Sequence, residues 1–225
     1  MRSSLRSALM RPLRVCTENP WRRTYSADTY YELDPSEKLH GCKALITGGS
    51  RGIGLAIANR FTEAGIACTL LGRDEATLEK AAASMDYIDY KVAFARRPQI
   101  TRADVSSLPF WQDIANSELA KSCDILVNAA GITHTSLLIR EKPETLEQVV
   151  QTNLMGTMWA CKYVGRAMMR SKTDKPGLKS IVNISSLLGV QGGRGSAAYA
   201  ASKAGVVGLT RSLAAEMGQG GVRVN

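Results

Sequence analysis

At 225 residues, 44% hydrophobic and 22% charged, the chain has the length and balance of an ordinary globular protein with one sizeable core. It has no apolar run near the ~20 residues that a membrane-spanning helix needs. Of the formal +9 charge, +5 falls in residues 1–25, and the +4 left on the rest is too little for a nucleic-acid binder.

Residues 1–25 carry six arginines (Arg2, Arg6, Arg11, Arg14, Arg22 and Arg23), one acid (Glu18) and three serines. That is the pattern of an organelle-targeting peptide. Leu5, Leu9 and Leu13 share a helical face, and Arg23-Thr24-Tyr25-Ser26 resembles a mitochondrial processing site. The alternative is a basic arm for nucleic acid or acidic lipid. The lack of lysine and the cleavage-like end favour targeting, and with it a mitochondrial matrix location. Residues 26–41 read as a polar linker, so the folded domain is expected over 42–225.

Within that domain, short apolar runs alternate with helical ones. Ala44-Leu45-Ile46-Thr47 is strand-like, and Ile53 to Ala64 is helical until Gly65 stops it. Ala67 to Leu71 is a second strand, and Asp74 caps a helix to about Ser84. Residues 87–105 offer two strands, 90–95 and 99–104, of which the second fits the sheet better. One helix is expected over 107–121, a buried strand over 124–128, and one long helix from Glu144 to about Arg170, with Pro143 in its first turn. A strand over 180–185 and a helix over 199–217 follow, and Val222–Asn225 begins a sixth strand. The alternation predicts an α/β, Rossmann-type, doubly wound parallel sheet. The pattern stops within the sixth strand, so the domain is expected to be C-terminally incomplete.

The cysteines (Cys16, Cys42, Cys68, Cys123 and Cys161) form no C-x-x-C pair, and His40 and His134 lie far apart, so neither a disulfide framework nor a metal site is indicated. Cys68 and Cys161 sit in apolar patterns that predict buried packing.

Thr47 is followed by Gly48-Gly49-Ser50-Arg51-Gly52-Ile53-Gly54, at the handover from the first strand to the first helix. Glycines there allow positive φ and close backbone approach, and the helix N-terminus directs free N–H groups at a pyrophosphate. Asp74 lies at the distance of an acid that holds the ribose 2′-OH of NAD. It is better placed as a helix cap, however, and Gly72 offers no carboxylate at the strand end. Arg73 and Arg51 suit a 2′-phosphate, which favours NADPH.

Ser186 precedes Tyr199 by thirteen residues, and Lys203 follows Tyr199 by four, on the same helical face. An ammonium one turn from a phenol stabilises the phenolate, and a phenol so placed can protonate a carbonyl oxygen as hydride arrives. Ser186 would hydrogen-bond the same oxygen, with Ser185 as its adjacent competitor.

The stretch Gly48–Gly54, Asn128-Ala129-Ala130-Gly131, Ser186, Tyr199 and Lys203 together resemble the short-chain dehydrogenase/reductase family over residues 42–225. The resemblance implies that Ser186, rather than Ser185, is catalytic and that Asn153 completes a tetrad by holding a relay water. It also implies that Asp104 and Val105 contact adenine, that Asn128, Ala129 and Gly131 contact the cofactor mainly through backbone, and that Tyr199 and Lys203 bind the cofactor besides their catalytic part. Leu137–Arg140, Thr152-Asn153-Leu154 and Tyr199–Gly205 are most similar to 3-oxoacyl-(acyl carrier protein) reductases and mitochondrial carbonyl reductases. Such enzymes use NADPH to reduce a β-keto thioester in fatty-acid synthesis and usually form tetramers through two long helices. Here Ala200, Ala201, Ala204, Gly205 and Gly208 are small enough for such packing, and equally for packing on the chain's own sheet. Bacterial relatives carry an arginine for the acidic carrier where this chain has Gln219-Gly220; Lys172, Lys175 and Lys179 either replace it or form a solvated loop. The alternatives are a quinone or small-ketone reductase, and a non-catalytic nucleotide-binding subunit.

Overall fold

The computed structural model describes residues 39–85, 97–133, 135–171 and 178–225. The expected targeting peptide, most of the linker, the alternative strand at 90–95, and Lys172 and Lys175 lie outside these residues.

Six parallel strands, β1 (Lys43–Thr47), β2 (Ala67–Gly72), β3 (Gln99–Arg102), β4 (Ile125–Asn128), β5 (Ser180–Asn183) and β6 (Arg223–Val224), stand in the order 3-2-1-4-5-6. Successive side chains on a strand point to opposite faces, and here each face meets its own core. Leu45, Leu126 and Ile181 pack with Trp111, Val164 and Met168 on one side. Ile46, Leu70 and Val127 pack with Ala58 and Leu78 on the other. Burial on both faces explains why β4 is apolar along almost its whole length. Cys42, Cys68, Cys123 and Cys161 are all buried.

The helices are α1 (Gly52–Glu63), α2 (Glu75–Ser84), α3 (Leu108–Ile114), α4 (Glu118–Lys121), α5 (Pro143–Val150), α6 (Gly156–Arg170), α7 (Leu188–Gln191) and α8 (Ala197–Gly218). None of them is long and apolar enough to cross a membrane. The helix expected over 107–121 is two helices, because the Ser117 side chain accepts from Ala120 N–H and starts a new one. The helix expected over 144–170 is interrupted by a π-helical turn, Gln151–Met155. The Thr157 hydroxyl donates to the Asn153 carbonyl at 2.8 Å, so a side chain competes for that acceptor within the turn. β5 ends at Asn183, two residues earlier than expected, and the short helix α7 was not expected at all.

Lys179 is neither a carrier contact nor part of a solvated loop. It is 5% exposed, and its ammonium donates to the Met168 and Ser171 carbonyls at the end of α6. The strand order reverses between β1 and β4, and a ligand crevice opens outside the carboxyl ends of strands at such a point.

Candidate active site

The loop after β1, the end of β2, the loop after β3 and the loop after β4 enclose a cleft of about 510 Å³. The glycine loop is built by exclusion. A Cβ on Gly54 would fall 2.3 Å from the Gly48 carbonyl oxygen, and one on Gly48 (φ +67°) would fall 2.8 Å from the Ala130 backbone. Gly52 differs: φ is +56°, yet a Cβ there meets nothing within 4 Å, so the space above it is open for a ligand. α1 has no side-chain cap and no acid in its first turn, which leaves its N–H groups directed at the cleft. Ser50, Arg51 and Ile53 line the same loop, and Ile53 is 61% exposed.

Arg73, Asp104, Val105, Ala129 and Gly131 also line the cleft, as expected from the sequence. Asp74 is a helix cap: its carboxylate accepts from Thr77 N–H at 2.7 Å, and that bond holds its carboxyl below the usual range. The Asp104 carboxylate accepts from the Ser106 N–H and hydroxyl, and the Val105 carbonyl accepts from the Trp111 indole. Asn128 does not line the cleft. Its side chain is buried and turned inward, donating to Asn183 Oδ1 at 2.8 Å and to Cys161 Sγ at 3.4 Å. The residue that shapes the β4 loop is Thr47, which the sequence did not single out. Its hydroxyl accepts from both Ala129 and Ala130 N–H at 3.1 Å. Ile132 and Thr152, neither of them expected at the site, complete the wall; Ile132 had no signal but adjacency to Gly131, and Thr152 stood only within the Thr152-Asn153-Leu154 segment.

Asn153 and Lys203 of the expected tetrad adjoin this cleft, and Tyr199 stands beside Lys203. A Cβ on Gly131 would lie 3.3 Å from Asn153 Oδ1 and 3.6 Å from Lys203 Nζ, so the lysine and asparagine adjoin the cleft wall. The Lys203 ammonium donates to the Ile184 carbonyl at 2.7 Å and stands 5.9 Å from the Tyr199 ring centroid. Burial holds its pKa below the usual lysine value. Asn153 is fully buried. Its Oδ1 accepts from Ile132 N–H, and its Nδ2 donates to the Ile132 carbonyl and to Ser202 Oγ. Ser202 Oγ passes this on to the Tyr199 carbonyl at 2.7 Å. The asparagine side chain therefore clamps the cofactor loop to the tyrosine helix.

The two serines differ in their partners. Ser185 Oγ donates to the Lys203 carbonyl at 2.8 Å, whereas Ser186 Oγ accepts from Leu188 N–H at 3.2 Å. The Ser186 proton has no acceptor among the described residues. Burial pushes the Cys161 and Cys123 thiols up to about 12 and Cys68 to about 11, so none of these is a thiolate nucleophile at neutral pH.

The chain that builds this glycine cradle at the switch point, with Lys203 adjoining it, is matched by the family model for short chain dehydrogenases over residues 43–225. The chain belongs to this family. As a short-chain dehydrogenase it is an oxidoreductase that uses a nicotinamide dinucleotide, and the open space at Gly52 and the uncapped α1 fit that group. It is similar to a 3-oxoacyl-(acyl-carrier-protein) reductase of Chlamydia muridarum, at 37% identity over 81% of this chain and 70% of that protein. It is also similar to carbonyl reductase family member 4 of Danio rerio, at 35% identity over 81% of this chain and 72% of that protein. A solved short chain dehydrogenase/reductase family protein superposes with a TM-score of 0.72 at 35% identity, covering 84% of this chain and 73% of that one.

Proposed function

We propose that the protein reduces a 3-oxoacyl thioester, carried on acyl carrier protein, to its 3-hydroxyacyl form, using NADPH in the mitochondrial matrix. The observation that carries this reading is the likeness to reductases named for that substrate, over a domain in which Ser186, Tyr199, Lys203 and Asn153 are all present.

The cofactor choice rests on the end of β2. Gly72 ends that strand and lines the cleft without a carboxylate for the 2′-OH of NAD. Arg51 and Arg73 are exposed at the cleft and suit a 2′-phosphate. NADPH, when bound, supplies a hydride for the carbonyl carbon. The chain's own residues handle the oxygen: Ser186 donates a hydrogen bond to it, and Tyr199 gives it the phenol proton. The Lys203 ammonium stabilises the phenolate that remains. Asn153 holds Ile132 and Ser202 in place around these groups.

The substrate choice has two supports. Leu187 and Val190, next to Ser186, are 67% and 74% exposed and offer an apolar surface to an acyl chain. No acidic residue occurs from Leu178 to Ala215, so the mouth does not repel an anionic thioester. Away from the mouth, Lys121, Arg166 and Arg170 line a cleft of about 770 Å³ suited to an acidic carrier. Ala201, Ala204 and Gly208 are exposed on α8 and support helix-to-helix association into a homo- or hetero-tetramer, whereas Gly205 packs on the chain's own Leu154. The arginine-rich residues 1–25 support the matrix location.

The similarity to a carbonyl reductase favours a second reading, reduction of a quinone or small ketone. Steady-state rates of NADPH oxidation with acetoacetyl thioesters and with quinones separate the two. The proposal expects kcat/KM for the thioester to exceed that for the quinone by at least about tenfold. Thioester rates at background, with quinone turnover, would sink it.

A further inference from the structure

Three hydrogen bonds fasten α8 to the end of β5 and the residues that follow it. Ser185 donates to the Lys203 carbonyl and the Lys203 ammonium donates to the Ile184 carbonyl, so both of these bonds involve the lysine of the site. The third is independent of it. Asn183 Nδ2 donates to Thr210 Oγ1 at 2.9 Å, two helical turns beyond Lys203 on the same face of α8. The Thr210 hydroxyl gives its own proton to the Val206 carbonyl at 2.8 Å, which fixes it as the acceptor of the Asn183 amide.

Asn183 also reaches the neighbouring strand. It stands in register with Asn128, whose Nδ2 donates to Asn183 Oδ1 at 2.8 Å. Both asparagines are nearly buried, at 9% and 3% exposure. One carboxamide therefore joins the strand that leads to the cofactor loop, the strand that leads to Ser186, and the helix that carries Tyr199 and Lys203. Hydrogen bonds within a dry interior have strict geometry, and a buried amide without a partner is costly.

We propose that Asn183 and Thr210 are a positioning pair, which fixes the rotation and height of α8 so that Tyr199 meets the carbonyl oxygen held by Ser186. This role rests on the reading of Ser186 and Tyr199 as the reacting groups, but not on the identity of the ketone. Misplacement of a reacting group by about 1 Å costs on the order of a hundredfold in rate. The ordering of Tyr199 therefore falls on kcat, while the nucleotide cleft, whose lining does not include α8, keeps its affinity.

The test compares Thr210→Val with Thr210→Ser. The valine keeps the side-chain volume without the acceptor, and the serine keeps the acceptor. Each is assayed for kcat and KM with the best ketone substrate, and for NADPH affinity by nucleotide fluorescence, which also reports folding. We expect Thr210→Val to lose roughly tenfold to a hundredfold in kcat with the NADPH Kd within about twofold of the parent, and Thr210→Ser to keep kcat within about twofold. Asn183→Ala combined with Thr210→Val is expected to be no slower than Asn183→Ala alone. A parent-like kcat in Thr210→Val overturns the proposal. So does an equal loss in Thr210→Ser, or a loss of NADPH binding that parallels kcat, since either makes the effect one of packing. Tyr199→Phe in the same assay shows where a failure lies: if it keeps the parent rate, the reading of the site fails first.

Discussion

Ser185 and Ser186 are identical side chains one residue apart, and their hydrogen-bond partners distinguish them. The Ser185 proton is committed to the Lys203 carbonyl, while the Ser186 hydroxyl accepts from Leu188 N–H and its proton has no acceptor among the described residues, which suits the role proposed for it. Ser186→Ala is therefore predicted to lower kcat by about 10²-fold to 10⁴-fold while the melting temperature stays near that of the parent. Ser185→Ala should do the reverse, losing about 1 kcal/mol of stability with a much smaller change in kcat. Rates and thermal melts of both variants check this, and equal kcat losses would contradict it. The spacing of thirteen residues to Tyr199 pointed to Ser186 only through the family resemblance; the hydrogen bonds add a physical ground for the same choice. Asn153 is the opposite case. Its position was legible from Gln151-Thr152-Asn153-Leu154, but its partners, Ile132 and Ser202, are brought to it by tertiary packing that no local pattern encodes.

At the scale of elements, the glycine loop makes a sharper distinction than its motif does. Gly48, Gly52 and Gly54 look equivalent in the sequence, yet only Gly54 has a backbone carbonyl 2.3 Å from where a Cβ would stand. Gly54→Ala must displace that carbonyl and the loop with it. It is predicted to weaken NADPH binding by at least about tenfold in a fluorescence titration. Gly52→Ala has open space within the protein itself, so its stability cost is only that of its positive φ, roughly 1 kcal/mol, although its Cβ enters the space left for the ligand. If thermal melts show Gly54→Ala to be no less stable than Gly52→Ala, close packing of the loop is not what shapes the cradle. Strands and single helices were legible because burial on both faces of the sheet leaves apolar runs between glycine turns. The break at Ser117 and the π-helical turn at 151–155 were not, because each depends on a side-chain hydroxyl competing for a backbone partner. Lys179 was misread for a related reason. Its place after a proline and a glycine suggested solvent, whereas it caps α6 from the next strand.

Across the whole molecule, alternation of strands and helices was enough to predict the parallel sheet, and right-handed crossovers then leave few topologies. The order 3-2-1-4-5-6 brings the carboxyl ends of β1, β4 and β5 together, so residues from 48 to 203 meet at one crevice. Asn128 shows how function and fold divide within that arrangement. It carries the family pattern, yet its side chain ties β4 to β5 from below, while Thr47 shapes the loop above it. Which residues touch the nucleotide and which hold those that do is a matter of side-chain direction, and strand patterns alone do not reveal it. The chemistry attributed to the site depends most on one proton donor. The most direct measurement is kcat for NADPH oxidation by an acetoacetyl thioester in Tyr199→Phe, with NADPH affinity measured on the same preparation. The expected result is a fall of at least about a hundredfold in kcat with affinity near that of the parent; a Tyr199→Phe protein that turns over at the parent rate would contradict the account.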